Sequence, residues 1–368
     1  MAEETPKKRI VVVGGGLAGL LVAQKLNKRK DSQVILVSDK DYFIFLPRLT
    51  ELFGKSAPEK HIIAPLKNIW KGSLVIDKAN LVNPGDKTVV LNSGQTIAYD
   101  ILVLAVGSKP NYFNTPGSQY SYSFYSKEDS DKLNEHVQRM LEADEQAGTH
   151  TFVVVGGGPT GVEVAYVLNK LVKQKRSKAR VIIMERNKLL LQMLSEKLST
   201  AATGVIQQQG IEIMTSTGVL NITPMSIEIQ KPDGAKENLP CYTTVWAAGS
   251  MPQQLPITGV QLSPKGEVTV LNTLQAQQHP EIFCLGDYAA TNTPKTAQSA
   301  VQQAACAADN ISSLLDEKPL QQFKLEDKGT VIALEKDTVG LFYGKLLKGF
   351  LAQQGRDKYY RYMFSQFT

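Results

Sequence analysis

The sequence predicts an α/β protein with two parallel-sheet halves, each entered through a strand, a glycine-rich turn and a helix. Two stretches carry this expectation: residues 9–19 read RIVVVGGGLAG, and residues 151–161 read TFVVVGGGPTG. In both, an apolar run of the kind buried on both faces of a parallel sheet leads into GxGxxG. A third observation is a set of further short apolar runs that end in small residues or an acid, at 102–107, 181–185, 243–249 and 281–287. Strands of this kind alternating with helices read as a doubly wound sheet.

In the first turn, Gly14 permits the tight bend, Gly16 lets the backbone approach a pyrophosphate, and Gly19 lets helix and strand pack closely. Gly15, Leu17 and Ala18 complete the turn. The helix behind it offers free N–H groups and a positive dipole end to phosphates. Residues 33–37 read as the next strand. Dinucleotide folds place an acid at that strand's end, roughly 20 residues past the glycines, on the ribose hydroxyls. Asp39 lies at that distance, but Ser38 directly follows the apolar run, so the acid is either Asp39, displaced by one, or absent. Residues 41–52, DYFIFLPRLTEL, are dense in aromatics and suit either a flat apolar ligand or a buried crossover loop.

Residues 87–92 and 95–98 read as a hairpin around Ser93–Gly94. The stretch 99–107 is another buried strand that ends past Ala105 in Gly107, and 126–147 is a charged helix. The opening pattern then repeats. Gly156, Gly158 and Gly161 form the second GxGxxG, with Pro159 and Thr160 inside it and a helix over 162–173. The basic run 173–180 caps that helix's C-terminus, where cations suit the dipole. The strand 181–184 ends directly in an acid, Glu185. Residues 211–230 suggest alternating strands, 243–249 ends in Ala248 and Gly249, and 281–287 ends in Gly286 and Asp287. A helix over 295–310 follows, with Thr296 and Ala297 in its first turn.

A chain of 368 residues, 42% hydrophobic and 21% charged, has ample core for two domains. No run reaches the roughly 18 apolar residues of a membrane span. The start, MAEETPKKR, runs straight into the first strand and leaves no room for a signal peptide. Cys241, Cys284 and Cys306 are widely spaced with no CxxC, which argues against a disulfide framework, a zinc site and a dithiol redox centre, and for a reducing compartment. The four histidines, His61, His136, His150 and His279, show no metal-ligand spacing. The net charge of +6 is modest, a mild preference for anionic surfaces and no nucleic-acid footprint.

Two dinucleotide folds imply two dinucleotides, most simply FAD in one and a nicotinamide in the other. Glu185 accepts hydrogen bonds from an adenosine ribose and repels a 2′-phosphate, which favours NADH; Arg186 beside it keeps NADPH open. Asp287 fits flavin hydroxyls, and the helix from Thr296 would aim its positive end at the flavin ring.

With these residues in hand, the chain resembles a known group. GGGLAG, LAVGS at 104–108, GGGPTGVE at 156–163, VWAAG at 245–249 and CLGD at 284–287 look like the two-dinucleotide flavoproteins. DYFIFLPRLTE at 41–51 and AQSAVQQ at 297–303 resemble the type II NADH:quinone oxidoreductases, and the chain is also similar to the apoptosis-inducing-factor-like quinone reductases. The resemblance implies two Rossmann-like domains of the disulfide-reductase-like type. The FAD domain would cover 1–113 and 253–320, the NAD(P)H domain 114–252, and a C-terminal segment for membrane or dimer contact 321–368. It implies FAD held by the first turn with Asp287, and the nicotinamide nucleotide held by the second turn with Glu185. Pro47 would sit by the flavin ring, Gln298 and Gln302 would line a quinone pocket from one helix face, and Glu163 would lie between nicotinamide, flavin and quinone. The implied activity is hydride transfer from NAD(P)H to flavin and two electrons on to a membrane quinone, without proton pumping, by a peripheral protein on the cytoplasmic side of a membrane. A soluble ferredoxin-reductase-like flavoenzyme and a flavoprotein redox sensor with little turnover are the alternatives. Ser38 departs from the group's usual acid, Ala304 stands where Gly is common, and the C-terminus is shorter than in many members.

The last stretch, 341–367, mixes Lys345, Lys348, Arg356, Lys358 and Arg361 with aromatics. Phe342, Leu346, Leu347, Phe350 and Leu351 fall on one helical stripe, and Tyr359, Tyr360 and Tyr362 suit a membrane interface. The expectation is a helix lying in the headgroup layer; the alternative is a stripe packed on the protein's own core or on a second copy.

Overall fold

The computed structural model describes residues 7–147 and 150–367. Its first parallel sheet is centred on the strand Lys8–Val13, with Ile101–Leu104 on one side and Ser32–Ser38 on the other. Ser73–Ile76 and His279–Cys284 extend it outward. Ile10, Val11 and Val12 are fully buried because helices cover one face and the antiparallel strands Ala79–Asn83, Thr88–Leu91 and Thr96–Ala98 cover the other. The second sheet repeats the plan. Thr151–Val155 lies between Arg180–Met184 and Thr243–Trp246, and Tyr122–Ser123 and Glu212–Met214 close the edges. The strands of the first sheet come from 8–104 and 275–284, and those of the second from 122–246. An antiparallel pair, Ser108–Pro110 with Ser250–Pro252, joins the two chain crossings between the halves.

Two helices open directly from the glycine turns, Leu17–Leu26 and Pro159–Gln174. A long helix, Ala297–Leu315, packs on the first of these through small residues, Ala304, Ala307 and Ala308. Cys241 and Cys284 are buried and Cys306 is half-buried, each as a small core residue.

The tail departs from the expected helical stripe. Thr330–Ile332, Val339–Phe342 and Lys345–Lys348 form a small antiparallel sheet, and the helix begins only at Gly349, running Gly349–Ser365. The reason is local. Tyr343 and Gly344 both take positive φ, 47° and 78°, and make a tight hairpin turn where a continuous helix would need αR residues. Phe342, Leu346 and Leu347 are therefore strand residues, and Leu346 packs with Leu341 on the core of the second half. The helix then crosses to the first half. Met363, Phe364 and Phe367 are buried there, with Phe367 stacked on Phe43 at 4.6 Å and Tyr360 edge-on to Phe45 at 5.2 Å. Its other face leaves Phe350 68%, Leu351 63% and Tyr362 62% exposed. The tail thus packs on the protein's own core along one face and presents apolar groups on the other. No described helix is long and apolar enough to cross a membrane.

Candidate active site

The two glycine turns are built alike. Gly14 has φ +114° and Gly156 φ +110°. A Cβ on either would lie 2.3 Å from the Ala105 carbonyl oxygen or 2.5 Å from that of Ala247. In contrast, a Cβ on Gly16 or Gly158 would meet nothing within 4 Å, so the backbone there is open to an incoming group. Each of these open glycines caps its helix with extended backbone and no side-chain hydrogen bond. A glycine cradle that no side chain crowds, at a helix N-terminus, fits a pyrophosphate, once in each half.

The strand ends beside the turns differ. Gly14 N donates to Val37 O and Gly156 N to Met184 O, which makes the next residues, Ser38 and Glu185, equivalent. Glu185 Oε2 accepts from Gly157 N at 2.7 Å, and Oε1 accepts from Asn187 N and Nδ2, each at 2.7 Å. The carboxylate is thereby fixed at the rim of a cavity of about 260 Å³ lined by Gly158, Asn187, Leu189 and Met193. Ser38 is buried; its Oγ donates to Lys40 O at 2.7 Å, and Asp39 beyond it is exposed.

On the same C-terminal edge of the first sheet as the Gly14 turn, Ser108 Oγ donates to Asp287 Oδ2 at 2.7 Å. Gly286 N donates to Gln303 Oε1 at 2.7 Å, and Gln303 Nε2 reaches Thr291 and Thr293 Oγ1 at 3.3 and 3.2 Å. Thr296 caps the helix that starts at Ala297, accepting from Ser299 N at 3.2 Å. Sequence reasoning missed Gln303, which ties the Asp287 turn to this helix. The signal was its place beside Ala304 and Ala307 on the buried face. Tyr125 OH donates to Gly249 O at 2.9 Å, and Gly107 O accepts from Gln253 N at 3.0 Å, so both small-residue strand ends are pinned.

Gln298 and Gln302 share a helix face, as their spacing requires. Their amides hold the extended segment that follows the helix. Gln298 Oε1 accepts from Lys328 N at 2.8 Å, and Gln302 exchanges two hydrogen bonds with the Glu326 backbone at 2.8 and 2.9 Å.

Glu163 lies one turn into its helix, and its carboxyl meets three other parts of the chain. Oε1 accepts from Ala333 N at 2.8 Å, Thr50 reaches it from the short helix Leu49–Phe53, and Arg356 and Glu51 act on it by charge. Part of its side chain meets solvent, yet burial of the carboxyl raises its pKa to about 7; the Ala333 N–H and the Arg356 charge oppose that rise, and Glu51 adds to it. Burial likewise works against a charged Glu51, but Arg48 and Arg356 outweigh it and hold that carboxyl below its ordinary range. Pro47 stands immediately before this cluster, in the turn Leu46–Arg48. Sequence reasoning found Glu163 and Pro47 but missed Glu51 and Arg356, which lie 305 residues apart.

Two glycine cradles at helix N-termini, with a titratable carboxyl one turn behind the second, fit an oxidoreductase that works with two nucleotides. The comparisons agree. The pyridine nucleotide-disulphide oxidoreductase family pattern matches residues 8–304, and the chain belongs to that family. A demethylphylloquinone reductase of Synechocystis sp. is 30% identical over 97% of this chain and 92% of its own length. A type II NADH:quinone oxidoreductase of Mycobacterium tuberculosis is 27% identical over 95% and 83%. In fold, the chain is similar to NDH2 from Plasmodium falciparum in complex with NADH, with a TM-score of 0.88 at 19% identity over 98% and 97% of the two chains. The resemblance to the type II NADH:quinone oxidoreductases read from the motifs is borne out, as is the pairing of FAD with NADH.

Proposed function

We propose that this chain oxidises NADH and reduces a quinone at a membrane surface, with FAD as the resident cofactor. The observation that carries the reading is the junction itself: a carboxyl with its pKa raised to about 7 stands where the two halves and the C-terminal helix meet. A bound flavin would supply the chemistry that couples hydride uptake from a nicotinamide to two-electron reduction of a quinone. Quinol formation from NADH takes up one further proton, and Glu163 is placed to hold and release it near neutral pH. The first cradle, with Asp287 and the capped helix at Ala297, binds the flavin nucleotide. The second cradle, with Glu185, binds and orients the donor, and its fixed carboxylate favours NADH over NADPH. Cys241 lies in the connection before the strand Thr243–Trp246, Cys284 in a strand of the first sheet and Cys306 in the helix Ala297–Leu315, an arrangement that supplies no dithiol for disulfide chemistry. Gln298 and Gln302 face the proposed quinone side through the segment they hold, and the exposed Phe350, Leu351 and Tyr362 face lipid.

Turnover of purified protein with NADH and NADPH against a panel of quinones tests the reading. Yellow protein that releases FAD with acid and reduces a quinone with NADH supports it. Release of FMN, or bound FAD with no quinone turned over, overturns it.

A further inference from the structure

Arg356 is 4% exposed, on the inner face of the C-terminal helix. Its Nη2 pairs with Glu51 Oε1, its Nη1 with Asp357 at 3.1 Å, and its Cζ lies 4.7 Å from the centre of the Tyr360 ring. Among the described residues, its Nε has no hydrogen-bond partner. Glu51 in turn holds Arg48 through Nε at 3.0 and 3.1 Å. One buried guanidinium therefore joins the last helix of the chain to the turn that carries Pro47. The same guanidinium acts on Glu163 by charge, across the short helix that carries Thr50 and Glu51.

We propose that Arg356 is a positioning residue of this junction: it anchors Glu51 and the Pro47 turn, and supplies the positive charge that governs when Glu163 holds its proton. The inference deepens the functional reading above and rests on Glu163 handling a proton. The groups that face Glu163 are Thr50 and Glu51 from the short helix, with Arg48 behind them; Arg356 and Tyr360 from the C-terminal helix; and the Ala333 amide. Of these charges, Arg356 favours the ionised carboxylate, and Glu51 disfavours it. Removing them must move Glu163 in opposite directions, which a purely structural role does not explain. A buried, hydrogen-bonded pair is a costly way merely to stabilise a helix, because desolvation offsets most of the attraction. Lysine, a point charge without the planar fork, keeps the charge but not the geometry.

The test uses the holoenzyme with FAD bound. The carboxylic C=O stretch assigned to Glu163, by its loss in Glu163→Gln, is titrated by infrared difference spectroscopy. Its midpoint in the native chain is expected near pH 7. Arg356→Gln is expected to move it up, and Glu51→Gln to move it down, each by about one pH unit, a tenfold change in acidity. Arg356→Lys returns most of the Arg356→Gln shift. The kcat of NADH:quinone turnover is followed over the same pH range. A midpoint that stays put in both charge variants, or moves the same way in both, overturns the proposal. A midpoint that shifts as stated while kcat ignores Glu163→Gln upholds Arg356 and removes the relay reading of Glu163. Should Arg356→Gln fail to fold, Glu51→Gln alone decides the sign.

Discussion

Ser38 occupies, in the first half of the molecule, the strand-end position that Glu185 occupies in the second. The spacing to the facing turn is the same in both. A Cβ on Gly15 would lie 2.9 Å from Ser38 Cβ, and one on Gly157 would lie 3.0 Å from Glu185 Cβ. The acceptor Glu185 offers to its turn has no counterpart at Ser38, whose hydroxyl is engaged by Lys40. The duplicated fold therefore places a carboxylate at one of its two equivalent strand ends and a hydroxyl at the other.

On the proposed placement of FAD in the first half, its adenosine end has no carboxylate partner at residue 38. Ser38→Glu puts a carboxylate at the position equivalent to Glu185, and a charge-assisted hydrogen bond contributes about 1.5–3 kcal/mol. Flavin fluorescence on reconstitution of the apoprotein should give an FAD Kd lower by about tenfold or more in Ser38→Glu. An unchanged Kd would show that the ribose does not reach residue 38.

Donor choice rests on the other member of the pair. Glu185→Ser removes the carboxylate that Gly157 and Asn187 hold at the cavity rim, while the exposed Arg186 remains. The ratio of kcat/KM for NADH over NADPH should fall by roughly tenfold or more, the scale of one lost charged hydrogen bond and one lost repulsion. If the native chain already prefers NADPH, Arg186 governs the choice.

Much of this was legible in the sequence because the decisive signals are local. GxGxxG after an apolar run specifies strand, turn and helix within about 15 residues, and both turns form as read. The roles of Ser38 and Asp39 needed the register between Val13 and Val37 to be known, which no periodicity supplies. Glu51 and Arg356 could not be paired by reading, since both look like ordinary surface charges until the tail folds back 305 residues later. The tail was misread for a different reason. The positions of Phe342, Leu346, Leu347, Phe350 and Leu351 fit a helix, and the turn at Tyr343–Gly344 outweighed that pattern.

Glu163 also sets a pH dependence of stability. Its folded pKa, about 7, lies above the ordinary value of 4.5, so the folded chain binds this proton more tightly than the unfolded one. Stability from this group is therefore full below pH 4.5 and falls as pH rises toward 7. Gln keeps an acceptor for Ala333 N and abolishes the titration. Glu163→Gln should be more stable than the native chain at pH 8, by on the order of 2–3 kcal/mol, and equal to it at pH 4. Thermal melts at the two pH values check this; an offset that is the same at both would refute it.

The exposed face of the C-terminal helix gives the last prediction. Deleting the tail is a poor test of membrane docking, because Met363, Phe364 and Phe367 belong to the core of the first half. Substitution of the outer face alone is a clean one. Phe350 and Leu351 are 68% and 63% exposed at the start of the helix, with Tyr343 75% exposed on the adjacent hairpin and Lys345, Lys348, Lys358 and Arg361 at the surface around them. Burying a Phe or Leu side chain is worth about 1.5–3 kcal/mol, and each nearby cation adds about 1 kcal/mol at an anionic surface. The double variant Phe350→Ser, Leu351→Ser should retain its FAD and fold. It should bind vesicles containing anionic lipid at least about tenfold more weakly in co-sedimentation. High salt should weaken the native chain as well, because the cations contribute through a screened attraction. A variant that sediments with vesicles as well as the native chain does, or a native chain that never sediments with them, rules out this face as the membrane contact.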